Sequence, residues 1–196
     1  MWRGVPLIAL PESAEAFQDA TWDDVAPYYE ELVGRPLDRT NVEAWLVGRW
    51  PVPEVAGFFH ESGDDWLVTR EVFGVPMSHP SLGWEPVRVA NKLGEILRHL
   101  HSTDAAGCPF GIDKRGHVLI HGDFCLPNVL VRDGELSGLV DVGGAGLGNP
   151  EDDLAAGVWT LRYNYGQGLA RTFLDAYGWP PMTDVAIEKL RRKYGR

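Results

Sequence analysis

Asp123 and Asn128 stand five residues apart in the run His121-Gly-Asp-Phe-Cys-Leu-Pro-Asn128, between the apolar runs His117-Val-Leu-Ile120 and Val129-Leu-Val131. On a short loop between two strands, that spacing puts a carboxylate able to handle a proton and a carboxamide able to ligate a metal into one pocket. After Asp133-Gly134, a pair suited to a tight turn between strands, the chain runs through Leu136-Ser-Gly-Leu-Val140 to Asp141-Val-Gly-Gly144. A kinase-type site holds its magnesium ions between a loop Asn and an Asp on the next hairpin and spreads the charge of the γ-phosphate over them. Asn128 and Asp141 are the expected metal ligands here, and their oxygen donors suit hard, octahedral Mg²⁺.

In such a site Asp123 accepts a hydrogen bond from the acceptor hydroxyl, aligns it with the γ-phosphate and takes its proton late. His121 is expected to anchor the loop through nearby backbone. Gly122 permits the tight path that swings Asp123 inward, and Pro127 stiffens the approach to Asn128. The chemistry requires no thiolate, so Cys125 reads as packing.

His121-Gly-Asp123, Leu126-Pro-Asn128, Gly138-Leu-Val-Asp141 and Asp152-Asp-Leu-Ala155 resemble the aminoglycoside phosphotransferase family, in its kanamycin-kinase-like branch. Cys108-Pro-Phe110 and Phe173-Leu-Asp-Ala-Tyr-Gly178 are similar to that branch too. The resemblance implies an α+β, protein-kinase-like fold with a small, incomplete N-terminal lobe carrying a β-hairpin and a mainly helical C-terminal lobe carrying the catalytic loop. It implies ATP and Mg²⁺ as cofactors and a small hydroxylated acceptor, a cationic aminoglycoside first among the candidates. It also implies that Arg70, Glu71 and Val72 form the interlobe hinge whose backbone reads adenine, and that Asp153 braces the catalytic loop. For Asp153, helix capping alone is the competing reading.

Several elements must position these residues. Pro51 to Phe59 and Trp66 to Val72 flank the turn Ser62-Gly-Asp-Asp65 and read as a hairpin. Glu85 to His101 carries Val87, Val89, Leu93, Ile96, Leu97 and Leu100 at helical spacing. Pro150 and Glu151 open a helix to about Tyr163, with Asp152 and Asp153 in its first turn. A further helix is expected over 166–178, and Pro180-Pro-Met-Thr183 caps the last one, which ends in a basic tail. His60, His99 and His101 read as surface or helix-end residues. The division expected is a helical segment over 1–40 that does not match the kinase pattern, a partial small lobe and hinge over 41–75, and a catalytic lobe over 76–196. Residues 22–38 are similar to the helical start of oligoendopeptidase-type metallopeptidases, but the sequence contains no His-Glu-x-x-His, so zinc peptidase activity does not follow.

A formal charge of −10 argues against nucleic acid, which needs a basic footprint. Two cysteines with no metal-ligand spacing fit a reduced, cytoplasmic setting, and no apolar stretch reaches the length of a membrane helix. Oligomeric state has no signature.

The family pattern is departed from in three places. The first lysine of the chain is Lys92, with no glycine cluster before it. Only ten residues separate Phe110 from His121, where the family carries an acid-rich insertion, and the tail is basic where the family's is acidic and aromatic. Alongside the aminoglycoside kinase, two readings therefore stay open: a catalytically impaired, pseudokinase-like binding module, and a kinase for another hydroxylated metabolite.

Overall fold

The computed structural model describes residues 45–61, 64–108, 110–111 and 116–194. The helical segment expected over 1–40, and residues 41–44 of the partial small lobe, lie outside them. Two compact units divide the chain: one takes in residues 54–70 together with 1–39, the other residues 40–53 and 71–196.

In the first unit, β1 (Val55–Glu61) and β2 (Asp64–Thr69) pair antiparallel, from Val55 opposite Thr69 to Glu61 opposite Asp64. A bulge between Val55 and Gly57 interrupts the register. Arg70 closes the strand end by donating its N–H to the Glu54 carbonyl at 2.8 Å, and its guanidinium lies 3.3 Å from the Glu54 carboxylate.

The second unit holds the core. Its longest helices are α1 (Pro86–His101) and α2 (Pro150–Tyr165); α3 (Ala170–Tyr177) and α4 (Asp184–Arg191) follow. Val89, Leu93, Leu97 and Leu100 of α1 are all but fully buried, as their three-and-four spacing dictates. Each such side chain contributes about 1.5–3 kcal/mol by leaving water. Helix α3 begins four residues later than the sequence suggests, because Gly166 and Gly168 carry positive φ values of 80° and 110°. Asn149 caps α2 by accepting from the Glu151 N–H at 3.0 Å, and Thr183 caps α4 by accepting from Ala186 at 3.2 Å.

Short strands hold the candidate site. β5 (Val129–Arg132) and β6 (Glu135–Leu139) form a hairpin, with Arg132 opposite Glu135. Asp133 and Gly134 turn it with φ of 53° and 87°, the twin positive angles of a tight hairpin turn. The two-residue β3 (Val75–Pro76) adds to the other edge of β5. Separately, β4 (Val118–Ile120) pairs with β7 (Gly146–Gly148). This pairing brings the chain entering His121 beside the chain leaving Asp141. No helix among the described residues is long and apolar enough to cross a membrane.

Candidate active site

From His121 to Asn128 the loop sorts its side chains by burial. His121, Phe124, Cys125 and Leu126 are buried, Phe124 and Leu126 completely. Asp123 and Asn128 remain half-exposed. The apolar members pin the loop to the core and the two polar members face outward, each held by local bonds. A 3-10 turn over Leu126–Asn128 ends the loop and feeds β5.

Asn128 is fixed by its own amide. Its Nδ2 donates to the Asp123 carbonyl at 3.0 Å and to Asp123 Oδ2 at 3.2 Å. With the nitrogen committed to Asp123, the carboxamide oxygen is turned away from it and is the atom left for a cation. The Val140 N–H donates to the Asn128 carbonyl at 3.0 Å, so Asp141 follows directly from a residue bonded to Asn128. Asp141 is exposed and has φ 58°, ψ 45°. That left-handed conformation is uncommon outside glycine, though Asp tolerates it, and it collects at functional sites.

Gly122 joins the two halves of the site. Its φ is 89°, and a Cβ there would lie 2.4 Å from the Gly144 carbonyl oxygen. The loop bearing Asp123 therefore rests, backbone on backbone, against the turn that follows Asp141.

Asp153 is wholly buried. Its Oδ2 accepts from the His121 N–H at 2.7 Å and its Oδ1 from the Gly122 N–H at 2.9 Å. His101 Nε2 lies 3.1 Å from Oδ2; because a carboxylate only accepts, that nitrogen carries the proton. His101 Nδ1 is paired with the Tyr177 hydroxyl at 2.9 Å. Asn149 caps α2, and Asp153 in its first turn accepts from the backbone of the loop. His101 is the last residue of α1, the helix-end place expected of it, but it is 8% exposed and built into this network. One helical face does the bracing. Thr160, two turns beyond Asp153, accepts the Leu126 N–H on its hydroxyl at 3.2 Å.

His121 anchors the loop through backbone, its Nδ1 accepting the Asp123 N–H at 3.3 Å. Burial lowers its imidazole pKa below the usual value; Asp153, Asp123, the Val140 carbonyl and Asp141 pull the other way. It meets Phe124 edge to face, with ring centroids 5.9 Å apart. Burial pushes the Cys125 thiol up to about 12, so at neutral pH it is neither nucleophile nor ligand.

Arg70, Glu71 and Val72 fall at the chain boundary between the two units, which lies between Arg70 and Glu71. Glu71 is exposed, and Val72 packs its Cγ1 over Gly138 of β6, at a place where a Cβ would leave only 2.3 Å.

A family profile described as "Phosphotransferase enzyme family" matches residues 113–188. A probable aminoglycoside 3'-phosphotransferase of Lactococcus lactis is 43% identical, the match covering 62% of this chain and 63% of that one. The aminoglycoside 3'-phosphotransferase of Niallia circulans is 25% identical, with 71% of each chain covered. The crystal structure of an aminoglycoside-3'-phosphotransferase of type VIII superposes with a TM-score of 0.60 at 27% identity, over 76% of this chain and 75% of that one.

The chain is similar to aminoglycoside phosphotransferases over about two thirds of its length.

It spans about two thirds of the length of those two curated relatives. An aminoglycoside phosphotransferase of Streptomyces rimosus, solved with ADP and streptomycin, shares the fold at 20% identity, with a TM-score of 0.61 over 86% of this chain and 80% of that one. The fold is thus the α+β, protein-kinase-like one, and within it Asp123, Asn128, His121, Gly122 and Asp153 form one bonded group, with Asp141 adjoining through Val140.

Two residues of the network escaped sequence reasoning. His101 carried the weak signal of a histidine on the buried stripe of α1, one residue after Leu100. Tyr194 donates its hydroxyl to Asp123 Oδ1 at 2.6 Å; it lies in a basic tail 71 residues away in sequence, and no local pattern marks it.

Among the described residues, no three His, Cys, Asp or Glu side chains gather to hold an ion by themselves. Asn128 and Asp141 instead offer two oxygen donors. That set fits Mg²⁺, which takes one or two protein oxygens and completes its octahedron with phosphate and water.

Proposed function

We propose that the chain transfers the γ-phosphate of ATP to a hydroxyl of a small molecule, with a cationic aminoglycoside as the acceptor class. One observation carries the reading: Asp123 and Asn128 are bonded to each other, and their loop is held by Asp153 through the N–H groups of His121 and Gly122. The probable aminoglycoside 3'-phosphotransferase of L. lactis and the S. rimosus enzyme solved with ADP and streptomycin support the choice of nucleotide and acceptor.

On this reading Asp123 accepts the acceptor's hydroxyl proton and aligns its oxygen for in-line attack. Asn128 and Asp141 would hold Mg²⁺, which supplies charge neutralisation on the phosphates. Asp153, through two backbone N–H groups, keeps the carboxylate of Asp123 where the acceptor meets it, and such preorganisation accounts for much of the rate in phosphoryl transfer. The reading assigns residues 41–75 to a partial small lobe, with the backbone of Arg70 to Val72 reading the base, and residues 76–196 to the catalytic lobe.

The test is release of ADP from MgATP with kanamycin and a panel of other hydroxylated acceptors. Turnover with kanamycin that is lost in Asp123→Asn is the expected result. Equal rates in the variant refute it, and turnover of only a different acceptor moves the protein to the metabolite-kinase reading.

One observation favours a second reading, a binding module impaired in catalysis. Lys92, the first lysine in the sequence, is engaged by Glu135 of β6 at 2.6 Å, so it is committed to the large unit and not to a triphosphate. MgATP that leaves the melting temperature unmoved would support this reading, and a rise of several degrees would refute it.

A further inference from the structure

We propose that Tyr194 is a positioning residue for phosphoryl transfer, its hydroxyl holding the Asp123 carboxylate in the orientation that receives the acceptor hydroxyl. The inference rests on the reading of Asp123 as the base and adds to it a residue from the chain's last turn.

Both carboxylate oxygens of Asp123 are engaged from fixed directions. Oδ1 accepts from Tyr194 at 2.6 Å and Oδ2 from Asn128 Nδ2 at 3.2 Å. A carboxylate held at one oxygen can still turn about its Cβ–Cγ bond; held at both, it cannot without breaking a bond. Each oxygen retains a second lone pair for the acceptor. The tyrosine's proton is directed as well, because its oxygen accepts from Cys125 Sγ at 3.4 Å. Burial, reinforced by the bonds to Asp123 and Cys125, raises the pKa of the phenol, so it remains a neutral donor beside the base.

The tail that carries Tyr194 is tied down by contacts of its own. The Tyr194 ring packs on Trp159 of α2 with centroids 5.0 Å apart and planes at 43°. Trp159 in turn stacks on Tyr163, at 5.2 Å and 10°. Lys193 pairs with Glu151 at the start of α2. Arg191 and Arg192 bond Glu188 at 2.9 and 3.0 Å, and Arg162 of α2 reaches the same carboxylate at 2.8 Å. Arg191, Arg192 and Lys193 thereby pair with acids of α2 and α4, and Tyr194 beside them lands on the loop bearing Asp123.

A hydroxyl in this place could instead exclude the acceptor, and the two roles differ in kinetics. Tyr194→Phe keeps the ring on Trp159 and removes only the oxygen. In the full chain a positioning role lowers kcat about tenfold, the scale of one hydrogen bond to a charged group, with KM for ATP and for the acceptor unchanged. An excluding role lowers the acceptor KM and leaves or raises kcat, and that result overturns the proposal. A double-mutant cycle of Tyr194→Phe with Asp123→Asn, read by urea unfolding, supplies a measurement independent of turnover. Non-additive midpoints are expected, and additive ones overturn the proposal. A wild-type chain that turns over no acceptor sinks the reading of the site and this role with it, whereas turnover with unchanged kcat in Tyr194→Phe sinks the role alone.

Discussion

Replacing Asp153 by Asn changes one atom and tests the frame of the whole loop. The carboxylate accepts from three donors, the N–H groups of His121 and Gly122 at 2.7 and 2.9 Å and His101 Nε2 at 3.1 Å, in a site with no exposure. Asn has the same shape but one accepting oxygen. If that oxygen serves His121 and His101, the Gly122 N–H faces an NH₂ group and loses its partner. A buried hydrogen bond to a charged acceptor contributes about 1.5–3 kcal/mol, and the two surviving bonds weaken as the acceptor becomes neutral. The expected loss is about 3 kcal/mol, or about 6–12 °C in melting temperature for a chain of this size. A capping role predicts almost nothing, since Asn caps helices as well as Asp does. Scanning calorimetry of the two proteins reads the difference, and ADP release reads its effect on Asp123. A melting temperature within about 2 °C of wild type, with undiminished turnover, refutes the bracing role.

Three other perturbations follow from the same geometry. Gly122→Ala combines a φ of 89° with a Cβ 2.4 Å from the Gly144 carbonyl, so it is expected to lower stability by about 2 kcal/mol or more and to lower turnover beyond what stability explains; chemical denaturation and a rate assay check both. With its thiol pushed up to about 12 and its side chain buried, Cys125 has about one thiolate in ten thousand at pH 8. Iodoacetamide should therefore modify only the half-buried Cys108 in the native protein and both cysteines in urea, giving one and then two adducts by mass spectrometry. His121, whose pKa is lowered by burial, stays neutral to a lower pH in the folded chain than in the unfolded one, which takes up a proton below about 6.5. Its contribution is complete above that pH and is lost as pH falls below it, so the urea midpoint should drop between pH 7 and 5 by less in His121→Gln than in wild type.

Local patterns carried much of this structure. The hairpin turn at Asp133-Gly134 was legible because two adjacent positive φ angles restrict the residues that fit. Helix α1 was legible because a buried stripe imposes its spacing, and the loop from His121 to Asn128 because its bonds close within five residues. What stayed hidden depends on partners distant in sequence. From local pattern alone Asp153 reads as a first-turn acid of α2, and its bracing role is expected only through the family resemblance; the packing of that helix against the loop makes it an acceptor for two backbone groups more than thirty residues upstream. His101 meets Asp153 across 52 residues and Tyr194 meets Asp123 across 71. For each, the sequence states a type and a local conformation, and the contact arises from how α1, α2 and the tail converge.

The abutment of Gly122 on Gly144 has a consequence for how such a protein can diverge. Two backbones in direct contact leave no side chain to trade for another, so the spacing between the loop bearing Asp123 and the turn after Asp141 cannot be tuned by gradual substitution. Change is thereby channelled to exposed positions away from that contact, such as Tyr163. A lineage built on this plan would acquire new acceptors by redecorating its edge around an unaltered centre.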